Sequence, residues 1–442
     1  MPQTPCATNI SPDTNWFDHP LRGVKPKYHR YPCWLIGMTL DMLNNMPISS
    51  RLAVKFLEIA TKYLPGVAKI PVHGTIFNWH NKSNYYQLMT TCPSDPGPEE
   101  EQDEWCLIID ESISFGGQRI LLTLGVRLRE YSRGLPLSYS DVKVLSVGFQ
   151  YRSWNAKDIY KHLKHEVLAR YSIAYVVSDN GASIVKAVSD LDLARVDDCT
   201  HSFALLLKGV YVDNEEYKAF EAACTLLKRQ GNISGYANIM PPKVRSHSRF
   251  MNIAPLVKWA VEKLACLDEP TDMKGYSSKL SPTKRSKLIW LLDYRALIQK
   301  LDATVEVLNT ILRGLKSEGV SQQTTDWVNN YLKQSSVLKR VHPRILRGVA
   351  KYMKRQLAVA QKLGRTWVIC SSDIVESLFG RHKYHRYGPT RHGPAFMRLV
   401  SYGRDVTCFE TVINALEANT CRSLNAAVKE KIQRARQECM DG

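Results

Sequence analysis

Three acidic residues, each in a distinctive local sequence, are the side chains best suited to do chemistry in this chain. Asp110 ends the apolar run Trp105-Cys-Leu-Ile-Ile, and Asp179 ends the run Tyr175-Val-Val-Ser. Glu376 lies in a segment with helical spacing that is followed by many Lys and Arg residues. Carboxylates held by two strands and a helix can bind two Mg²⁺ ions, which clamp the attacking and leaving oxygens of a phosphodiester. The three acids therefore predict a two-metal phosphoryl-transfer site, in which Mn²⁺ can substitute for Mg²⁺.

Other acids compete for these roles, because an Asp at the end of a strand is often a solvated turn residue. The competing residues are Glu111, Asp190, Asp197 and Asp373. We favour Asp110 and Asp179 because they close the two most apolar runs. We favour Glu376 because it is the acid that a basic tract follows.

The elements that must position the first two acids lie in residues 105–212, which alternate as in an α/β domain. The apolar runs predict strands at Trp105–Asp110, Arg119–Leu128, Val142–Gln150, Ile173–Ser178 and Leu193–Val196. Helical spacing predicts helices at Ala156–Arg170 and Gly181–Ser189. The order of three strands, helix, strand, helix and strand predicts a mixed five-stranded sheet with Asp110 and Asp179 on neighbouring central strands.

The segments before this sheet are a basic arm, a helical region and a linker. Residues 1–33 are Pro-rich and basic, and we interpret them as a flexible arm. Residues 34–90 contain three short helical patterns, which favour either a helix-turn-helix DNA-binding domain or a small helical bundle. Trp79 and Lys82 on the third helix are the candidate DNA contacts. Residues 91–104 form an acidic, Pro-rich linker.

Residues 213–364 carry helical periodicity and no strand pattern, which predicts an all-α insertion before the last segment, 365–442. Residues 327–372 contain ten Lys and Arg and no acid, and several recur on one helix face: Arg340, Arg344, Arg347, Lys351 and Lys354. A second acid-free tract follows Glu376 and includes Arg381, Lys383 and Arg386 beside Tyr384 and Tyr387. We interpret both as phosphate-binding surfaces, the alternative being solvated helix faces. Three Trp residues of the insertion could either stack on an unpaired base or be part of the hydrophobic core. They are Trp259, Trp290 and Trp327.

The composition favours a nucleic-acid partner. The 442 residues include 60 Lys and Arg against 42 Asp and Glu, for a net charge of +18. Such a charge attracts polyanions through phosphate neutralisation and counterion release. Eleven Cys without a Cys-x-x-Cys pair are typical of reduced thiols in an intracellular protein. With no run of about 18 apolar residues and no apolar leader, the sequence predicts a cytoplasmic, nucleoid-associated protein without membrane contact.

The sequences around Asp110, Asp179 and Glu376 resemble those of bacterial insertion-sequence DDE transposases, of the RNase H-like (retroviral integrase) superfamily. The similarity covers residues 34–404, and Val-Glu-Ser-Leu-Phe-Gly-x-x-Lys at 375–383 is its most specific part. The resemblance implies an RNase H-like α/β core, with the three acids as its metal-binding triad. It also implies that an all-α domain is inserted between the second and third acids.

A fourth candidate residue comes from the same resemblance. Asp198-Cys-Thr-His201 is similar to the Cys/Asp-x-x-His motif of transposases with such insertions. His201 would then contact the scissile phosphate or the leaving oxygen. The alternative is a His that caps the start of a helix. A zinc site at Cys199 and His201 is disfavoured because no second ligand pair has suitable spacing.

The resemblance implies an enzyme that cuts the ends of a mobile element and joins the freed 3′-OH to target DNA. Its partners would be double-stranded DNA, both terminal inverted repeats and target, bound by a homodimer or higher oligomer. Two alternatives remain open: an RNase H-like, structure-specific nuclease without strand transfer, and a domesticated derivative that only binds DNA. The sequence leaves open whether the chain begins at its native N-terminus.

Overall fold

The computed structural model describes most of the chain. The described residues are 19–46, 48–63, 69–90, 103–115, 118–230, 236–243, 250, 253–270, 280–334, 339–384, 409–426, 429–430 and 433. The chain divides into two compact units. Unit 1 contains Met1–Tyr131, Ser138–Ile173 and Ile374–Gly442, and unit 2 contains Ser132–Leu137 and Ala174–Asp373.

The secondary structure is mainly helical, with the longer strands concentrated between residues 104 and 197. The helices are α1 (Cys33–Asn45), α2 (Ser50–Ala60), α3 (His73–Thr90), α4 (Ala156–His162), α5 (Ala182–Asp190), α6 (Cys199–Tyr211), α7 (Glu215–Gln230), α8 (Ile253–Asp268), α9 (Pro282–Leu288), α10 (Arg295–Glu318), α11 (Gln322–Lys333), α12 (Pro343–Lys362), α13 (Asp373–Tyr384) and α14 (Phe409–Ala418). The strands are β1 (Glu104–Phe115), β2 (Gln118–Arg127), β3 (Lys143–Gln150), β4 (Ser172–Ser178), β5 (Arg195–Asp197), β6 (Val320–Ser321) and β7 (Trp367–Val368).

The five strands from β1 to β5 form one mixed sheet in the order β3-β2-β1-β4-β5. β1 pairs with β2 and β2 with β3 in antiparallel fashion, whereas β4 and β5 are parallel. The apolar runs are completely buried, as at Ile108 and Val177, which is typical of strands covered on both faces. The prediction of a mixed five-stranded sheet, with its order of strands and helices along the chain, is confirmed.

The first strand is longer than its apolar run suggested. β1 continues beyond Asp110 to Phe115, so Asp110 lies inside the strand and the predicted strand end is wrong. The cause is the hairpin with β2, in which Asp110 lies opposite Leu122 and Glu111 opposite Leu121. Backbone pairing extends the strand through polar residues, because ladder hydrogen bonds do not depend on side-chain polarity.

A helical cluster in unit 1 combines the N-terminal helices with one from the end of the chain. α1, α2 and α3 share a buried core with α14, which supplies Phe409, Val412 and Leu416. The main-chain oxygen of Phe409 accepts a hydrogen bond from the thiol of Cys33 at 3.5 Å. The N-terminal helices therefore do not complete their own core, and a helix far along the sequence does so.

An apolar stripe on α2 lies outside this core. Leu52, Phe56 and Ile59 are each about half exposed, while Ala53 and Leu57 are buried. Small Ala53 is on the packed side, which lets the helices approach closely. The packed face of α2 is therefore the face adjacent to the apolar stripe.

Unit 2 contains two short strands where no strand was predicted. β6 and β7 form an antiparallel pair, with Val320 opposite Val368. Gly319 ends α10 with a φ of +68°, and a Cβ there would lie 2.4 Å from the carbonyl oxygen of Val368. Only glycine fits this turn from α10 into β6. Among the described helices, none has the length and apolar character needed to cross a lipid bilayer.

Candidate active site and nucleic-acid-binding surface

Asp110 is presented by the buried strand β1. It directly follows Ile109, which is completely buried, and is itself partly exposed. Its Oδ1 accepts a hydrogen bond from the main-chain N–H of Glu111 at 2.7 Å. Glu111, which competed with it in the sequence, forms an ion pair with Arg119 at 3.8 Å.

Asp179 is the first residue after β4, as the sequence predicted. It begins a tight turn, in which its Oδ1 accepts the N–H of Gly181 at 2.9 Å. A Cβ on Gly181 would lie 3.0 Å from that same oxygen, closer than a relaxed contact. The turn thus restrains the direction of the carboxylate, and a side chain at position 181 would crowd its Oδ1.

Glu376 lies in the first turn of α13, on the exposed side of that helix. Its neighbours Val375 and Leu378 are completely buried, so α13 is amphipathic around it. The next residue, Ser377, is hydrogen-bonded to the hydroxyl of Tyr139, also in unit 1. The backbone that carries Glu376 is therefore held on both sides.

His201 lies at the start of α6, held by the N-cap residue Asp198. Asp198 Oδ1 accepts from the main-chain N–H of His201 at 2.6 Å and contacts its ring Nδ1 at 3.0 Å. The other oxygen, Oδ2, accepts from the N–H and the hydroxyl of Ser372, at 2.6 and 2.9 Å. Asp198 therefore joins the start of α6 to the residue that precedes α13.

The protonation state of Asp198 follows from these contacts. Burial raises the pKa of its carboxyl, but hydrogen bonds from His201 and Ser372 outweigh burial and leave the pKa below its usual value. An ionised carboxylate only accepts, so Nδ1 of His201 carries the proton in this contact. Nε2 is then the basic ring nitrogen. The capping residue of α6 is Asp198, and His201 is the residue that it orients.

The remaining competing acids that are buried or partly buried have structural partners in unit 2. Asp373 accepts the hydroxyl of Thr200 at 2.9 Å and pairs with Lys316. Burial lowers the pKa of Lys316, but its pairing with Asp373 outweighs this and raises the pKa. Asp197 accepts a hydrogen bond from Gln356 and pairs with Arg355, both on the helix α12. Asp190 is exposed at the end of α5.

Cys199 is a completely buried thiol at the start of α6. A hydrogen bond with the thiol of Cys370, together with burial, raises the pKa of Cys199 well above its ordinary value.

The donor set of the predicted triad has the chemistry that Mg²⁺ prefers, since all three side chains are carboxylates. Asp110 and Glu376 belong to unit 1, whereas Asp179 and His201 belong to unit 2. Within the described residues, no three His, Cys, Asp or Glu side chains are grouped so that they could hold a metal ion. Metal binding by these acids stays a prediction.

The basic helix α12 is the clearest candidate for phosphate binding. Its exposed side chains include Arg344, Arg347, Lys351 and Lys354, and Arg340 is exposed just before it. The opposite face is buried through Ile345, Val349 and Met353. No acid occurs in the helix, so its exposed surface is uniformly positive.

α12 is fixed to strand β5 through polar contacts with Asp197. The Tyr352 hydroxyl donates to the Asp197 carbonyl at 2.8 Å. Gln356 donates to Asp197 Oδ2 at 2.7 Å and accepts the Asp197 N–H at 3.1 Å. Arg355, which is 55% exposed, pairs with the same carboxylate. The positive surface is thus attached to the strand that is hydrogen-bonded to β4, which carries Asp179 at its end.

The second basic tract falls largely outside the described residues. Arg381 and Lys383 lie in the last turns of α13, but their side chains are not described. Arg386 lies outside the described residues altogether.

The two candidate DNA contacts on α3 are engaged inside unit 1. Trp79 is 1% exposed, and its indole N–H donates to Nδ1 of His29 at 3.2 Å. The ammonium of Lys82 donates to the carbonyl of Leu416 at 3.1 Å, near the end of α14. Both side chains help hold α3 within the helical cluster, so contact with DNA would require them to leave these partners.

Of the three Trp residues considered for base stacking, two are engaged internally. Trp259 is buried and donates to the Ile239 carbonyl at 3.2 Å, and Trp290 donates to the Lys287 carbonyl at 2.9 Å. Trp327 differs, because it is 39% exposed and stacks on Tyr331.

Comparisons with known proteins leave the family of this chain open. No family model and no curated protein sequence matches it. Among solved structures, the chain is similar to one described as the Drosophila P element transposase strand transfer complex, with a TM-score of 0.42 and 14% identity. That similarity covers 86% of this chain and 93% of the other. A likeness at this level assigns neither a family nor an activity.

Proposed function

We propose that this chain is a DDE-type transposase, a metal-dependent DNA phosphoryltransferase. It would cut the ends of a mobile element and join the freed 3′-OH to target DNA. The observation that carries the proposal is in unit 2: an acid-free basic helix, α12, is hydrogen-bonded to β5, the parallel neighbour of β4, and Asp179 directly follows β4. The candidate phosphate-binding side chains of α12 and the candidate metal-binding carboxylate of Asp179 are thus held by the same pair of strands.

Each group has a distinct role in this mechanism. Arg344, Arg347 and Lys351 bind DNA phosphates, with Arg340 and the basic residues after Glu376 extending the surface. Asp110, Asp179 and Glu376 would hold two Mg²⁺ ions. Bound Mg²⁺ would lower the pKa of the attacking hydroxyl and offset charge on the phosphate.

His201 acts at the reacting phosphate through its ring. Because Asp198 accepts the Nδ1 proton, Nε2 is the nitrogen that can accept a proton or, once protonated, donate to a phosphate or leaving oxygen. The buried carboxylate also stabilises the imidazolium that would form. This arrangement makes His201 suited to proton transfer during strand cleavage.

The predicted partners follow from this reaction. Two DNA ends must be cut and joined together, which favours a homodimer or higher oligomer on paired inverted repeats. Light scattering of the protein with and without end DNA measures that assembly.

The decisive test uses DNA that flanks the gene as substrate for cleavage and joining in Mg²⁺. Asp110→Asn, Asp179→Asn and Glu376→Gln are each expected to abolish both reactions while binding DNA normally. The proposal fails if any one of the three proteins still cleaves at the wild-type rate.

The same experiment separates the alternatives. Cleavage without joining would identify a structure-specific nuclease, and binding without cleavage would identify a domesticated DNA-binding derivative. Short inverted repeats next to the gene, bounded by a direct duplication, would independently support a mobile element.

A further inference from the structure

Arg195 makes contacts that reach from β5 into the turn that carries Asp179. It lies opposite Val176 in the parallel register of β4 and β5. One terminal nitrogen, Nη1, donates to the main-chain carbonyl of Asp179 at 3.0 Å. The other, Nη2, donates to Oδ1 of Asn180 at 3.3 Å and pairs with Asp197. The planar guanidinium thus spans two adjacent residues of the turn and one residue of its own strand.

Asp197 holds this guanidinium in place. Its side chain is only 4% exposed, and its Oδ1 pairs with Arg195. Oδ2 is already occupied by Gln356 and Arg355 on α12. Because the carboxylate is compensated from two sides, the position of Arg195 is set by a nearly buried anion and not by solvent.

Among the residues that the structure describes, the turn supplies one hydrogen bond to the Asp179 side chain. That restraint is the hydrogen bond from the Gly181 N–H to Oδ1, at 2.9 Å. Arg195 adds a second restraint, on the main-chain carbonyl of the same residue. Together they fix both the peptide plane and the carboxylate direction of Asp179.

We propose that Arg195 is a positioning residue for the Asp179 carboxylate, and that the Arg195–Asp197 pair links this turn to the basic helix α12. The inference rests on the proposed function only for its effect on turnover. The mechanical part, that Arg195 holds the turn, stands on the contacts alone.

The first experiment measures that mechanical part by amide hydrogen exchange, without DNA or metal. In Arg195→Ala, exchange at Gly181 is expected to rise about tenfold or more, because local opening becomes easier. Exchange in α6 and α8 of the same unit is expected to stay unchanged. Unaltered exchange at Gly181, or a uniform rise across unit 2, would overturn the proposal.

The second experiment measures cleavage and DNA affinity separately. Arg195→Ala is expected to lower the cleavage rate about tenfold or more, since misplacing a reacting group by a fraction of an ångström is costly. The Kd for DNA is expected to change less than about twofold, because the side chain is not on the exposed face of α12. Arg195→Lys should recover part of the rate, as its ammonium can reach one of the two carbonyl oxygens but not both.

The matched control is Arg313→Ala, which removes an exposed arginine of unit 2 whose hydrogen-bond partner is Thr310 at 3.4 Å. It should leave both the Gly181 exchange and the cleavage rate as in the wild type. If the wild-type protein cleaves no DNA, the proposed function fails while the exchange measurement still decides the role of Arg195. If it cleaves and Arg195→Ala cleaves equally fast, the positioning role is refuted.

Discussion

Asp198 combines burial, capping and orientation in one carboxylate. It is the N-cap residue of α6. Its carboxylate accepts hydrogen bonds from the main-chain N–H and the ring Nδ1 of His201, and from the N–H and the hydroxyl of Ser372. Charge-assisted hydrogen bonds of this kind are among the stronger ones in proteins. The side chain that orients His201 therefore also secures the chain segment leading to Glu376.

The depressed pKa of Asp198 makes stability depend on pH in a defined direction. Its folded pKa lies below the ordinary value of 3.8. The stabilisation is therefore fully present above the unfolded pKa and is lost as the pH falls through the folded pKa. Urea unfolding from pH 7 down to pH 2 should show this loss, and Asp198→Asn should remove that component of the pH dependence.

Asp198→Ala should lower the free energy of unfolding by about 3 kcal/mol at pH 7, because four donors lose a buried acceptor. Chemical denaturation measures the change. Asp190→Asn, at an exposed position on α5, is the control and should alter stability by less than about 0.5 kcal/mol. Equal stability of Asp198→Ala and the wild type would contradict the assigned network.

Gly181→Ala tests the turn at Asp179 from the other side. The added Cβ would lie 3.0 Å from Oδ1 of Asp179 and must displace it by a few tenths of an ångström. We expect DNA cleavage to fall about tenfold, with the melting temperature nearly unchanged. Single-turnover cleavage and thermal unfolding measure the two effects, and Gly209→Ala, where a Cβ meets nothing, is the control. A normal cleavage rate would show that the carboxylate direction is not restricted by this turn.

α12 separates its two functions onto opposite faces, one packed and one positive. The buried face is apolar and anchored at Tyr352 and Gln356, so neutralising the exposed face should not unfold the helix. In a protein with Arg344, Arg347 and Lys351 changed to Gln, DNA affinity should fall. The dependence of log K on log salt should also become shallower by about 0.9 for each lost phosphate contact. Fluorescence anisotropy at several salt concentrations measures both quantities.

The control removes the same charge from other helices of unit 2. Lys218, Lys258 and Lys300 are exposed on α7, α8 and α10 and can be changed to Gln together. If this protein loses as much affinity and salt dependence as the α12 protein, binding reflects net charge and not a specific surface.

The local sequence predicted whether a segment is a strand or a helix where that segment is buried on all sides. It did not predict which face of a helix is packed. The strands of the sheet could be predicted because their apolar runs are continuous, as at Ile108 and Ile109. The extension of β1 depended on pairing with β2, which no local pattern reveals. α3 has almost no apolar asymmetry, because other helices cover several of its sides, and so the buried position of Trp79 could not be read from its spacing.

The candidate site was predicted in part, for a related reason. Asp179 lies directly after a strand, where an apolar run ends, and so local pattern sufficed to place it. The contact of Asp198 with Ser372 joins residues that are 174 positions apart. The contacts of Arg195 depend on the parallel register of β4 and β5. In the sequence alone, Asp198 and Arg195 look like any other acidic or basic residue, so neither set of contacts could be predicted.

Unit 1 contains segments that are far apart in the sequence. A substitution of Phe409 tests whether the C-terminal helix α14 stabilises the N-terminal helices. Phe409 is 4% exposed and packs edge-on against His19 in the helical cluster. Phe409→Ala should reduce the stability of this cluster by about 3–5 kcal/mol, because it leaves a cavity. Hydrogen exchange should rise in α1, α2 and α3 but not in α8 or α10. Unchanged protection of the N-terminal helices would show that α14 is dispensable for their packing.

The partnership of α1 with α14 has a consequence for synthesis on the ribosome. The bonded residues Cys33 and Phe409 are 376 positions apart, so at about 5–20 residues per second the first helices wait roughly 20–75 seconds for their last partner. During that interval the apolar residues that will contact Phe409 are exposed, and chaperones or other nascent chains can bind them. Slow codons late in the message would lengthen this exposure, so expression yield should depend on translation speed well downstream of the helices at risk.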